Sequence, residues 1–204
     1  MFYQKGCSIA GRVICLDPGH GGKDRANRGF SGEYIEADGV LDIALRLEKC
    51  LGELGAFVVM TRKDDITLSL SERCAIAEKA GAEIFISIHS DACSSASVKG
   101  ATAYYSLNPL WESKRLANTV ISEYTSITGV PSRGSRFRWN SSQTDDYYGV
   151  LRGTSMPAVI LECAFHTNQT EEAKLLIPEF RAIAAMGIKL GILRYFRESP
   201  KECY

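Results

Sequence analysis

The sequence predicts an α/β fold: one domain built on a twisted, mostly parallel or mixed sheet with helices on both faces. Three observations predict it. Short β-branched apolar runs, each bounded by glycine, proline or polar residues, alternate along the chain with longer segments whose apolar residues recur every three or four positions. The apolar runs are continuous rather than alternating, as strands covered on both faces are. No internal repeat, low-complexity stretch or second hydrophobic unit interrupts the alternation, and 204 residues suffice for one full core.

Taken in order, Val13-Ile14-Cys15-Leu16 reads as the first buried strand, closed by Asp17-Pro18-Gly19-His20-Gly21-Gly22. A polar loop from Lys23 to Tyr34 follows. Val40, Ala44, Leu47, Leu51 and Leu54 then mark one face of a helix over about 36–54, stopped by Gly55. Phe57-Val58-Val59-Met60 is the next strand. Ser69 and Glu72 have the spacing of a capping box, so a helix starts there and ends near Gly81. Ile84-Phe85-Ile86-Ser87-Ile88 is a third strand, with His89-Ser90-Asp91 expected just past its end. Gly100 to Tyr105 is another. Asn108 is the expected N-cap, and Pro109 the first residue, of a helix running to about Tyr124. Gly129 to Gly149 reads as a long surface loop with one edge strand at most. Pro157 to Leu161 is the last strand, ending at Glu162. Asn168 caps a further helix, and Pro178 opens a closing amphipathic one.

Composition narrows the function classes. Lys plus Arg and Asp plus Glu number 24 each, so no overall field favours nucleic acid or an anionic membrane. No run approaches the length of a membrane span. Seven cysteines contain no CxxC pair, and Cys15, Cys50, Cys74 and Cys163 sit in apolar stretches as small core residues. Met1 to Cys7 lacks the apolar core of a signal peptide.

His20, His89 and Glu162 all fall at expected strand ends, where sites form in open α/β sheets. Glu36 opens the helix that leaves the His20 loop and can return to the same edge. Two imidazoles and one carboxylate are a common ligand set for catalytic zinc, and a further carboxylate can take the proton of the activated water. Sixteen residues separate His20 from Glu36 and 53 separate Glu36 from His89, spacings without specificity of their own. On position alone an equal or better account is that Glu36 is a helix N-terminal carboxylate and the others are strand-end polar residues.

The motifs decide between these accounts. Val13 to Asp24, reading VICLDPGHGGKD, resembles the opening signature of the zinc-dependent N-acetylmuramoyl-L-alanine amidases, the amidase_3 family. Glu36-Ala37-Asp38 with Leu41-Asp42-Ile43-Ala44 resembles that family's Glu-x-Asp helix start. Ser87-Ile88-His89-Ser90-Asp91-Ala92 resembles its second histidine motif. Met156 to Glu162, with Phe165 and Asn168, resembles its terminal glutamate motif. The similarity runs from about Gly11 to Tyr195. It departs from the family at Arg25-Ala26 (often Pro-Gly), Val40 (often Asn), Ala164 (usually Gly) and His166-Thr167 (usually Leu-Ser), which bears on substrate preference.

The resemblance implies one zinc ion held by His20, Glu36 and His89, with Glu162 as the catalytic glutamate. It implies hydrolysis of the amide between the lactyl group of N-acetylmuramic acid and L-alanine in peptidoglycan. Residues 11–197 would form the catalytic domain, residues 1–10 an N-terminal extension and 198–204 a tail. Arg152 and His166 are candidate substrate contacts, Asp17 and Asp91 candidate partners for the imidazoles, and Trp139, Tyr147 and Tyr148 a candidate wall for glycan or peptide. The loop after the third helix is too short for an inhibitory helix, so an open site is expected. The expected partner is peptidoglycan, with no nucleic acid and no membrane span, and the chain is expected to be a monomer acting at the bacterial cell wall. Without a signal peptide it would be made in the cytoplasm and released by lysis, as a phage endolysin or sporulation enzyme is, or it would be an autolysin trimmed of its export segment. Two other classes stand beside this one: a non-catalytic peptidoglycan-binding module, and a zinc peptidase cutting within the stem peptide.

Overall fold

The computed structural model describes residues 9–198. Cys7, Cys203 and most of the expected N-terminal extension and C-terminal tail lie outside them. Six strands form one mixed sheet in the order β2-β1-β3-β6-β4-β5. They are β1 (Val13–Pro18), β2 (Phe57–Met60), β3 (Ile84–Asp91), β4 (Ala101–Tyr105), β5 (Ser132–Arg136) and β6 (Ala158–Phe165). The first four in spatial order run parallel, β4 runs antiparallel to β6, and β5 runs parallel to β4.

Period-two alternation divides the strand residues between two layers of unequal thickness. Ile14, Leu16, Ile84, Ile86, Ile88, Val159, Leu161 and Cys163 join the larger core. It is completed by α1 (Glu36–Gly52), α3 (Leu110–Thr128) and α6 (Pro178–Arg197). Cys15, Phe85, Ala158 and Ile160 face the smaller one, covered by α2 (Leu70–Lys79) and the single turn α4 (Gly149–Arg152). Continuing the alternation puts Asp17, Ser87, His89 and Glu162 on this second, thinner side. An eight-residue helix, α5 (Gln169–Leu176), links β6 to α6.

Several local expectations hold. Ser69 Oγ accepts from the Glu72 N–H and the Glu72 carboxylate accepts from the Ser69 N–H, the reciprocal capping box. Asn168 caps α5 by accepting from the Thr170 and Glu171 N–H groups. Cys15, Cys74 and Cys163 are buried thiols, whereas Cys50 is only half-buried. Others are corrected. Pro109, not Asn108, is the N-cap of α3 and makes no side-chain cap. The Asn108 N–H is satisfied by Ser106 Oγ instead. β3 and β6 run on to Asp91 and Phe165, so His89 and Glu162 lie within strands, directly paired, rather than past their ends. The stretch after β5 is an ordered hairpin: Trp139 bridges Asp146, and the Tyr147 N–H donates to the Arg138 carbonyl at 2.8 Å.

α3 and α6 approach closely because α6 offers Gly187 and Gly191 to the contact. A Cβ on Gly191 would lie 2.5 Å from the Cα of Val120 and 3.0 Å from the Thr119 carbonyl. Backbone cannot yield as a flexible side chain does, so overpacking of about 1–3 kcal/mol exceeds the roughly 1 kcal/mol of helix propensity that alanine regains over glycine. Gly191→Ala is therefore expected to lower stability in urea unfolding by up to about 2 kcal/mol; a stabilised variant would show that the two helices can move apart.

Candidate metal centre

The site begins in the backbone of the glycine-rich turn. His20 has φ of 58°, in the left-handed region that non-glycine residues rarely occupy. The turn is held there by two buried arginines. Arg62 donates to the carbonyls of Pro18, Gly19 and Ala37 at 2.9, 2.6 and 2.8 Å. Arg73, from α2, donates to the carbonyls of Pro18 and His20 and pairs with Asp17 at 2.7 Å. Asp17 also accepts from Thr61 and Ser87, both at 2.6 Å. Its carboxylate is consumed by this network and orients no imidazole. That task falls to Asp24, whose Oδ2 accepts from His20 Nδ1 at 2.8 Å. Nε2 is then the His20 nitrogen turned towards Asn27 and Glu36, 3.2 Å from each.

Three potential ligands converge beyond the turn. One donor atom each from His20, Glu36 and His89 lies within 4.8 Å of the others. His20 Nε2 is 3.2 Å from Glu36 Oε2, and His89 Nδ1 is 3.1 Å from Glu36 Oε1. The rings of the two histidines meet edge to face at 5.0 Å. A Cβ on Gly19 would collide with the His89 ring, so only glycine lets that imidazole sit where it does. Glu36 is the first residue of α1 and is buried. Asn27 donates to its Oε2 at 2.8 Å and the Ser90 N–H to its Oε1 at 2.9 Å. Burial disfavours the Glu36 charge, but the hydrogen bonds with His20 and His89 outweigh it and hold the carboxyl well below the usual carboxylate range. Two imidazole nitrogens and an ionised carboxylate, braced from behind and open on one side, form a donor set fit to hold a metal ion.

Glu162 stands opposite His89 in the β3–β6 register. It is buried, and its Oε2 has no hydrogen-bond partner among the described residues. Burial pushes its carboxyl up, and the charges of Glu36 and Asp91 push it further. The thin α2–α4 layer leaves this part of the sheet open. A cavity of about 320 Å³ there is lined by Asn27, Glu36, Ser90, Asp91, Glu162 and His166. His166, buried, shares a 2.9 Å hydrogen bond with Ser90 through Nδ1, and burial lowers its basicity. Asp91 lines the same cavity, but its carboxylate accepts from the Ala92 N–H and not from an imidazole. Arg152 lies outside the cavity. Its guanidinium donates to the Asp146 and Tyr147 carbonyls, fixing the hairpin that carries Tyr147 and Tyr148.

Sequence reasoning thus found the four residues that converge and missed those that hold them: Asp24, Asn27, Arg62 and Arg73. Asp24 carried a signal, being part of the first motif. The arginines carried none, since an arginine in a helix or after a strand is ordinarily solvated.

The chain as a whole is similar to known proteins in sequence and in fold. Residues 14–194 match the family described as N-acetylmuramoyl-L-alanine amidase. The chain is 34% identical over 190 residues to the N-acetylmuramoyl-L-alanine amidase LytC of Bacillus subtilis, covering 93% of this chain and 36% of LytC. It is 34% identical over 189 residues to the probable cell wall amidase LytH of Staphylococcus epidermidis, covering 92% and 60%. It therefore spans between about a third and three fifths of these relatives. The solved catalytic domain of CwlV, an N-acetylmuramoyl-L-alanine amidase from Bacillus (Paenibacillus) polymyxa, superposes with a TM-score of 0.82 at 36% identity, covering 90% of this chain and 97% of that one. Matched in sequence over nearly all its described length and in fold to a catalytic domain, the chain belongs to the N-acetylmuramoyl-L-alanine amidase family.

Proposed function

We propose that residues 11–197 are the catalytic domain of a zinc-dependent N-acetylmuramoyl-L-alanine amidase that hydrolyses the bond between the lactyl group of N-acetylmuramic acid and L-alanine of the peptidoglycan stem. The observation that carries this reading is the convergence of His20, Glu36 and His89 opposite a buried glutamate, Glu162, with an unpartnered oxygen. His20 through Nε2, Glu36, and His89 through Nδ1 would hold the ion. Zinc bound there supplies Lewis acidity, polarising a carbonyl and making water more acidic.

The chain's own residues supply the rest. Glu162 Oε2 takes a proton from the attacking water and passes it to the nitrogen of L-alanine as the amide breaks. Its burial and its carboxylate neighbours favour the proton-bearing state that this delivery requires. Asp24 and Asn27 fix the ligands, and His166 stands on the cavity wall as a substrate contact. Arg152 acts through the hairpin it braces. No helix among the described residues is long and apolar enough to cross a membrane. The substrate is peptidoglycan, met by a monomer at the cell wall.

The test is mass spectrometry of muropeptides treated with the zinc-loaded protein. A muramic acid bearing a free lactyl carboxylate, with an intact stem peptide that has gained an L-alanine amine, is expected. Cuts within the stem would replace the reading with a peptidase. Retention of peptidoglycan without cleavage would replace it with a binding module.

A further inference from the structure

Two clefts meet at the metal-ligating residues. The first is the acid-rich cavity described above. The second, of about 350 Å³, is walled by Leu68, Leu70, Tyr147, Tyr148 and Val150. His20, His89, Tyr148 and Ile160 line both. A group reacting at the histidines therefore extends one arm into each cleft. An amide has an acyl arm and an amine arm, and the residue that protonates the departing nitrogen must lie within hydrogen-bond reach of it. Glu162 lines the acid-rich cleft and not the other. The amine arm is thus directed past Glu162 and the acyl arm towards the tyrosines.

On the amidase reading, on which this step rests, we infer that the cleft of Leu68, Leu70, Tyr147 and Tyr148 is the subsite for the pyranose ring that bears the lactyl group. The stem peptide then lies along Asn27, Asp91 and His166. The chemistry of each wall agrees. Leu70 and Tyr147 are 56% and 48% exposed at the mouth of the cleft, large apolar groups left facing water. A pyranose offers a face of C–H groups to such a wall and hydroxyls to its rim, where Asp24 stands. The carboxylate at the floor, Asp17, is already paired with Arg73, so the cleft suits an uncharged ring. The opposite cleft carries Asp91 and Glu162, matched to the ammonium that hydrolysis creates.

The tyrosine wall is also pre-formed. The Arg138 guanidinium lies 3.7 Å from the Tyr147 ring centroid. Tyr148 meets Tyr147 edge-on at 5.1 Å and leans on Tyr104 at 5.0 Å. Asp146, between hairpin and sheet, accepts from Ser106 Oγ and the Leu107 N–H. Little ordering is left for binding to oppose.

The probe is N-acetylmuramic acid itself, titrated into the ¹⁵N-labelled, zinc-loaded protein. Its lactyl carboxylate would reach the metal-holding residues from either cleft, since His20 and His89 line both, so the sugar reports the direction. Amide shifts are expected at Leu68, Leu70, Tyr147 and Gly149, with Tyr147→Ala weakening the sugar about 2–10-fold and Tyr147→Phe retaining it. The peptide L-alanyl-γ-D-glutamate should instead move Ser90, Asp91 and Ala92. Sugar-induced shifts at Asp91 and Ala92 without any at Leu68, Leu70 or Tyr147, or none in either cleft, overturn the assignment. Cleavage of muropeptides is read on the same preparation. A protein that cleaves them while its sugar shifts fall in the acid-rich cleft loses the subsite assignment alone. A protein that cleaves nothing while its shifts fall at the tyrosines keeps a sugar site and loses the amidase.

Discussion

Glu162→Gln is expected to lower turnover of muropeptides by about 10²–10⁴, the usual weight of general acid–base catalysis, while zinc binding is retained. Glutamine keeps the shape of the side chain but carries no transferable proton at neutral pH. The substitution breaks no bond at Oε2, which has no partner among the described residues, so fold and ligand set should survive it. Stability supplies an independent readout. Burial, Glu36 and Asp91 raise the folded-state pKa of Glu162. Between the ordinary carboxylate pKa and this raised one the native protein binds the extra proton, so the contribution of Glu162 to stability falls as pH rises through that window. The metal-free Glu162→Gln protein should therefore lose less stability than wild type between acid and neutral pH. Turnover within a few-fold of wild type would remove Glu162 from the mechanism. Equal pH slopes would show that its carboxyl titrates normally.

Arg73→Met is expected to cost about 3–5 kcal/mol, the range for removing one partner of a buried ion pair. Arg73 and Asp17 have side chains only 5% and 1% exposed, so neither finds water when the other is lost. The carbonyls of Pro18 and His20 lose a donor as well. Because His20 sits in the turn those bonds fix, zinc affinity should fall by about 10–100-fold, as it does when supports behind a ligand are removed. Arg73→Lys should not rescue it, since one ammonium cannot reproduce the planar fork that reaches Asp17 and two carbonyls. Urea unfolding and zinc titration of the two variants, together with the Asp17→Asn/Arg73→Met pair, would show the coupling as non-additivity. Additive losses would mean that the arginine supports the turn through its carbonyl bonds alone.

The difference between these two residues measures what a sequence makes legible. Glu162 stands in an ordered motif, after an apolar run whose β-branched residues declare a strand. His20, Glu36 and His89 are legible in the same way, and so are the capping box at Ser69 and the cap at Asn168, which are local chemistry. Arg73 and Arg62 act across the fold on backbone carbonyls more than 20 residues away, and nothing beside them in the chain announces it. His89 and Glu162 looked like strand ends because polar residues closed apolar runs. They continue the strands because the α2–α4 layer is thin and the sheet tolerates polar groups on that side. The hairpin around Trp139 and Asp146 was hidden for a similar reason. It is stabilised by Asp146 bonding to Ser106 and Leu107, a contact made across 39 residues or more.

The placement of β6 has a consequence for how the molecule comes into being. The three candidate ligands come from the turn after β1, from the start of α1 and from β3, all within the first 91 residues, and β1 and β3 are neighbours in the sheet. β6 is the last strand in the chain, yet it occupies the interior of the sheet between β3 and β4. β4 and β5 have no partner on the ligand-bearing half until it arrives. Contacts of such long sequence separation form slowly, because the chain entropy is lost before the pairing is gained. The strand that completes the sheet is also the one that carries Glu162 opposite His89. On the proposed reading, a growing chain thus holds the residues that would bind the cation well before the one that would move the proton, and closure of the sheet and onset of activity would coincide.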